Sequence, residues 1–130
     1  MAHSAKKSVL LMDDDALVLQ TLTRLLEKEG YAVQAFQDPR EAVQAAVCDN
    51  FDLVIADIRM PHLDGFQALR YIREVRSQNK KEIPPEILIT GYAKEYQEEM
   101  KKAKPHAVVF KPFDLREFIQ VVRQALDNQL

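Results

Sequence analysis

Five short apolar runs alternate along this chain with amphipathic segments: Ser8 to Met12, Tyr31 to Phe36, Leu53 to Ala56, Glu86 to Ile89 and Ala107 to Phe110. Short apolar runs bounded by turn residues read as strands, and strands alternating with helices imply βα repeats and a mainly parallel sheet. The first helix carries Val18, Leu22, Leu25 and Leu26 on one face and stops at Gly30, which tolerates a left-handed backbone. The last repeats the pattern with Leu115, Phe118, Ile119, Val122, Ala125 and Leu126. Asp38 to Glu41, Asp64 to Gln67 and Asp114 to Glu117 each set an acceptor three residues before Glu or Gln, the spacing of a capping box. The fourth helix, near Lys94 to Lys102, has only a thin apolar stripe of Tyr96, Met100 and Ala103, so it should be the least firmly packed. Ser77 to Pro85 reads as a polar loop, and no linker, repeat or low-complexity tract interrupts the pattern.

At 130 residues the chain is expected to form one domain, residues 1–130 with a core of about 8–126. The net charge of -2 and the scattered basic residues point away from direct nucleic-acid binding and from an anionic membrane surface. No apolar run approaches the roughly 20 residues of a membrane span, so a cytoplasmic protein is expected. Cys48 is the only cysteine, which excludes an internal disulfide and suits a small residue on a mostly buried helix face. With only three glycines, Gly30, Gly65 and Gly91, there is no phosphate-cradling loop of the dinucleotide-binding kind.

The strand ends carry the chemistry. In a parallel sheet they converge on one edge, which brings together Asp13-Asp14, Asp57, Thr90 and Lys111. A carboxylate such as Asp57 can attack phosphorus and form an acyl phosphate. Each like-charge repulsion met at about 4 Å would cost roughly 4 kcal/mol at an effective dielectric near 20, so a cation is required. Mg²⁺ fits, because it takes oxygen ligands from one or two carboxylates plus phosphate oxygens. Lys111 supplies a second positive charge and the Thr90 hydroxyl a hydrogen bond as negative charge spreads over the phosphoryl oxygens. Asp15 reads as a helix cap. Taken singly, Thr90 is a turn hydroxyl and Lys111 a solvated lysine; only their joint placement gives them a role. His3, His62 and His106 lie in a terminus and two loops without metal-ligand spacing and are read as solvent-exposed.

Four motifs, each following an apolar run, now stand in order: Val9 to Asp15, Asp57-Ile58-Arg59-Met60-Pro61 with Asp64-Gly65, Ile89-Thr90-Gly91-Tyr92, and Lys111-Pro112-Phe113. In these the chain resembles a response regulator receiver domain, the phosphoacceptor half of two-component signalling. The resemblance implies a flavodoxin-like α/β fold: one doubly wound five-stranded parallel sheet, order 2-1-3-4-5, with helices on both faces. It implies Asp57 as phosphoacceptor, Mg²⁺ held by Asp14, Asp57 and the Arg59 backbone carbonyl with Asp13 acting through water, Thr90 as switch hydroxyl and Lys111 as phosphoryl-binding lysine. Expected partners are a sensor histidine kinase or phosphotransfer protein and a downstream protein or effector domain, with output through helix 4, strand 5 and helix 5 and a homodimer as one outcome of phosphorylation. The chain departs from the family at Val108, three residues before Lys111, where an aromatic is usual. Phe110 would share that face and act in its stead. Arg59 and Tyr92 would border the path of attacking water, and a bulky Tyr92 should slow self-dephosphorylation. Tyr92 and Tyr96 read equally as core or as a docking patch.

The expected activity is that of a switch assisting its own phosphotransfer and dephosphorylation, not of an enzyme. The alternative is a receiver-like interaction module that works without phosphorylation. A haloacid-dehalogenase-type phosphohydrolase built on Asp13-x-Asp15 would leave Asp57 without a role. No effector domain is read after the last helix, which suits either a stand-alone protein or part of a longer regulator.

Overall fold

A computed structural model describes residues 6–91 and 94–127. The order is β1 (Ser8–Met12), α1 (Ala16–Lys28), β2 (Ala32–Phe36), α2 (Pro39–Cys48), β3 (Leu53–Asp57), α3 (Gly65–Gln78), β4 (Glu86–Thr90), α4 (Gln97–Ala103), β5 (Ala107–Phe110) and α5 (Leu115–Asp127). All strands pair in parallel in one sheet of order β2-β1-β3-β4-β5. The fold expected from the sequence is the one observed.

Alternate strand residues feed two cores. Val9, Leu11, Leu53, Ile55, Ile87, Ile89 and Val109 meet α1 and α5, whereas Leu10, Met12, Val54, Ala56 and Leu88 meet α2 and α3. Phe118 is fully buried and stacks on Phe113 at 5.4 Å between ring centroids. The helix starts divide. Asp64 and Gln67 form a reciprocal capping box, while Asp38 and Asp114 accept from the amides two residues on, at 2.9 and 2.6 Å, without a return bond among the described residues. Gly30 takes φ +94° after α1, as expected of a left-handed residue.

Three sequence expectations need correction. Cys48 is exposed, because the buried face of α2 is Pro39, Ala42, Val43 and Ala46, and Cys48 ends the helix off that face. Leu115 is 44% exposed at the first turn of α5. The fourth helix begins at Gln97, preceded by a turn at 94–96. It contains no fully buried residue; Tyr96, Met100 and Ala103 lie half-buried against the α2–α3 core, the thin stripe foreseen.

Two arginines on the inner side of α3 were not anticipated. Arg76 is 3% exposed and donates to the carbonyls of Ala46, Asp49 and Glu82 and to Asn50 Oδ1, so a buried guanidinium closes the end of α2. Arg73 forks onto Glu86, a buried carboxylate at the start of β4, and donates to the Ala103 carbonyl at 2.7 Å. Burial pushes the Glu86 carboxyl upward and Arg73 opposes that push.

Candidate functional site

Strand order puts the ends of β1, β3, β4 and β5 side by side. Asp13 follows β1 directly, Asp57 ends β3, Thr90 ends β4 and Lys111 follows β5. The loops are fixed by backbone bonds: Asp13 donates to the Phe36 carbonyl at 3.1 Å, Ile58 to Ile89 at 3.0 Å and Lys111 to Thr90 at 2.7 Å. The Lys111–Pro112 peptide is cis. Gly65 opens α3 hard against β3: a Cβ there would stand 2.6 Å from the Asp57 carbonyl oxygen, so only glycine fits.

Asp13, Asp14 and Asp57 bring carboxylate oxygens within 4.8 Å of one another. Lys111 lies two strands from Asp57, about 10 Å of sheet, and its stem crosses β4 to set Nζ 3.5 Å from Asp57 Oδ1 and 3.8 Å from Asp13 Oδ2. One ammonium thus faces two of the three carboxylates. Asp57 is raised to about 6, first by burial and then by Asp13, with Lys111 opposing. Asp13 is also raised, chiefly by burial. Thr90 is 1% exposed and paired in register with Phe110, which is 48% exposed. Val108 sits half-buried against the α2–α3 core on the same face of β5 as Phe110.

The donors fit a hard divalent cation. Asp13 Oδ1 accepts the Asp15 amide at 2.9 Å, but Oδ2 is buried and receives no hydrogen bond among the described residues. A buried anionic oxygen left in that state is costly, and a cation of Mg²⁺ type would relieve it. Asp15 stands apart, capping α1 through the amides of Leu17 and Val18 at 2.9 and 3.3 Å.

The side chain of Arg59 turns from the site toward the segment before α4. Its Nη2 meets both Glu95 oxygens at 2.8 and 2.9 Å and its Nε donates to the Tyr96 hydroxyl at 3.2 Å. Tyr96 packs on Phe66 with centroids 5.8 Å apart, so it joins the core rather than an open patch. Tyr92 and His3 lie outside the described residues; His62 and His106 are exposed as expected. The Arg59–Glu95 pairing was missed because nothing in local spacing links residues 36 apart.

Residues 9–123 match the response regulator receiver domain family. The transcriptional regulatory protein ResD of Bacillus subtilis is 30% identical over 97% of this chain, and the match spans 50% of ResD, so this chain is about half that relative's length. Among solved structures, a CheY-like receiver domain from Methanospirillum hungatei superposes with TM-score 0.86 at 28% identity, covering 96% of this chain and 97% of the other. The receiver domain of the sensor histidine kinase PA1611 from Pseudomonas aeruginosa, solved with a magnesium ion in its active-site cleft, gives 0.81 at 26% identity, covering 95% and 99%. With its sheet order, its acidic strand-end cluster and this match along nearly its whole length, the chain belongs to the response regulator receiver domains of two-component signalling.

Proposed function

We propose that this domain is a phosphoacceptor switch that takes a phosphoryl group on Asp57 from a phosphohistidine donor, a sensor histidine kinase or phosphotransfer protein. The observation carrying this reading is the grouping of Asp13, Asp14 and Asp57 at the carboxyl edge of the sheet, with the Lys111 ammonium against Asp13 and Asp57. An Asp57 oxygen attacks phosphorus, the donor's P–N bond breaks, and its electron pair leaves with the imidazole. Above about pH 6 Asp57 is ionised and no general base is needed.

Asp13, Asp14, Asp57 and the Arg59 carbonyl would hold Mg²⁺, which when bound neutralises charge on the phosphoryl oxygens. Lys111 balances another oxygen, and Thr90, buried at the neighbouring strand end, donates a hydrogen bond to a third. Phe110, in register with Thr90, stands where an aromatic can follow a shift of the Thr90 hydroxyl toward the phosphoryl group and carry it along the β5 surface to a downstream partner. An unchanged partner affinity in phosphorylated Phe110→Ala would remove it from the output. An apolar groove of about 510 Å³, lined by Leu17, Thr21, Pro112, Phe113 and Leu115, borders Lys111. Leu17 is 71% exposed in it, a surface suited to donor docking.

The test is intact-mass spectrometry after incubation with acetyl phosphate and Mg²⁺. A single phosphoryl adduct is expected on wild type, absent in Asp57→Ala and after chelation. No adduct would instead favour a module that binds partners unmodified, the reading that Val108 in the usual aromatic place leaves open. Tyr92→Ala should lose the adduct faster than wild type; equal decay would exclude Tyr92 from shielding it.

A further inference from the structure

The seven residues of α4 are tied by a guanidinium group at each end, besides the half-buried packing of Tyr96, Met100 and Ala103. At the trailing end Arg73 donates to the Ala103 carbonyl at 2.7 Å while forking onto buried Glu86 of β4. At the leading end Arg59 grips Glu95 through both carboxylate oxygens, at 2.8 and 2.9 Å, and the Tyr96 hydroxyl at 3.2 Å. Tyr96 is the N-cap just before the helix, and it makes no side-chain cap bond of its own. Between these ends no residue of α4 is fully buried.

The two anchors differ in kind. The Arg73 anchor engages a carboxylate with 5% side-chain exposure, inside the sheet. In the Arg59 clasp both partners are 50% exposed, and Arg59 is two residues from Asp57. Exposed ion pairs of this sort are weak and exchangeable, whereas one whose carboxylate is buried is not.

We propose that the Arg59–Glu95–Tyr96 clasp is a releasable latch: it holds the leading end of α4 in the unphosphorylated domain, and a phosphoryl group on Asp57 draws the guanidinium away. The inference rests on Asp57 being the phosphoacceptor. Two residues span at most about 7 Å of backbone, within the reach of an arginine side chain. A phosphoryl group carries about two negative charges where the carboxylate carried one, and it presents oxygens that a guanidinium fork matches. Glu95 offers a single charge, half in water. The released end then moves about the Arg73 anchor, so phosphorylation changes the surface of α4 without unpacking the core.

The experiment compares wild type with the double variant Glu95→Gln, Tyr96→Phe, which leaves the phosphoryl-binding groups and Arg59 intact. Amide hydrogen exchange in residues 97–103 is followed by mass spectrometry with and without acetyl phosphate and Mg²⁺, and intact mass is recorded from the same samples. The unphosphorylated variant should exchange about threefold faster than unphosphorylated wild type in α4, as loss of a weak exposed clasp implies. It should match phosphorylated wild type there, with α5 unaltered. Equal α4 exchange in the two unphosphorylated proteins would overturn the latch, as would an adduct on wild type that leaves α4 protection unchanged. No adduct on wild type would defeat the phosphoacceptor reading itself, and the mass record separates that failure from failure of the latch.

Discussion

Asp57→Asn should make the metal-free domain more stable, by an amount that depends on pH in a defined way. The native carboxyl releases its proton near 6, whereas the unfolded chain releases it near 3.8. Between those values the native state binds more protons, so stability falls as pH rises through the window, and the loss is complete above it. At 1.36 kcal/mol for each pKa unit, ionised Asp57 costs the native domain about 3 kcal/mol at pH 8. Asparagine keeps the shape and the capacity to accept from Lys111 but carries no charge. In a chelating buffer at pH 8 it should therefore add about 2–3 kcal/mol and raise the melting temperature by roughly 5–10 °C. Near pH 3.5 the carboxyl is largely protonated in both the native and the unfolded state, and the difference should shrink to a fraction of about 1 kcal/mol. Urea titrations of both proteins at the two pH values, with and without Mg²⁺, measure this directly. Added Mg²⁺ should stabilise wild type more than the variant and narrow the gap. A variant no more stable than wild type at pH 8, or one whose gain is equal at pH 3.5, would refute the claim that burial and Asp13 repulsion strain this carboxylate.

Further outcomes follow from the geometry. Gly65→Ala should cost roughly 1–3 kcal/mol and slow phosphoryl labelling, because its Cβ meets the Asp57 carbonyl; an unchanged urea midpoint would rule out that close contact. Asp15→Ala should lose about 1 kcal/mol of stability through the cap yet label fully. Asp14→Ala should keep its stability and lose Mg²⁺-dependent labelling, and matching behaviour of the two variants in the mass assay would contradict the separation of cap from ligand. Arg73→Ala should cost about 3–5 kcal/mol by stranding Glu86. Adding Glu86→Gln should recover much of that loss in a double-mutant cycle, and simple additivity would show that the pair does not interact.

The sheet was legible because β1, β3 and β4 are buried along almost their full length and so read as uninterrupted apolar runs. The edge strand β2 was read as an apolar run like the others, yet it is largely exposed and begins one residue later than expected. The site was legible because parallel strands deliver successive strand-end residues to one edge whatever their separation in sequence. Side-chain networks between helices were not. Arg73 and Arg76 fall in phase with Leu69 and Ile72 on the inner face of α3, and charges on an apolar stripe were the available sign of buried guanidinium groups. Glu86 inside an apolar run gave the matching sign for its partner. The capping-box spacing was a weaker guide, because Asp38 and Asp114 have the same spacing as Asp64 but do not draw a return bond from the third residue. Cys48 was read as a small residue on a mostly buried helix face, whereas the buried face of α2 runs through Ala42, Val43 and Ala46.

A helix that contributes nothing fully buried to the core is also a helix whose sequence can drift. Gln97, Glu98, Glu99, Lys101 and Lys102 are exposed, so substitutions there carry little risk to folding as long as Met100 and Ala103 keep their half-buried contacts. The chemistry at Asp57 is built from strand ends and does not draw on those five side chains. On the proposed reading, recognition by a downstream partner would be rewritten on α4 by single surface changes while phosphoryl acceptance stayed as it is, so that one scaffold could be re-addressed to new targets without first being re-stabilised.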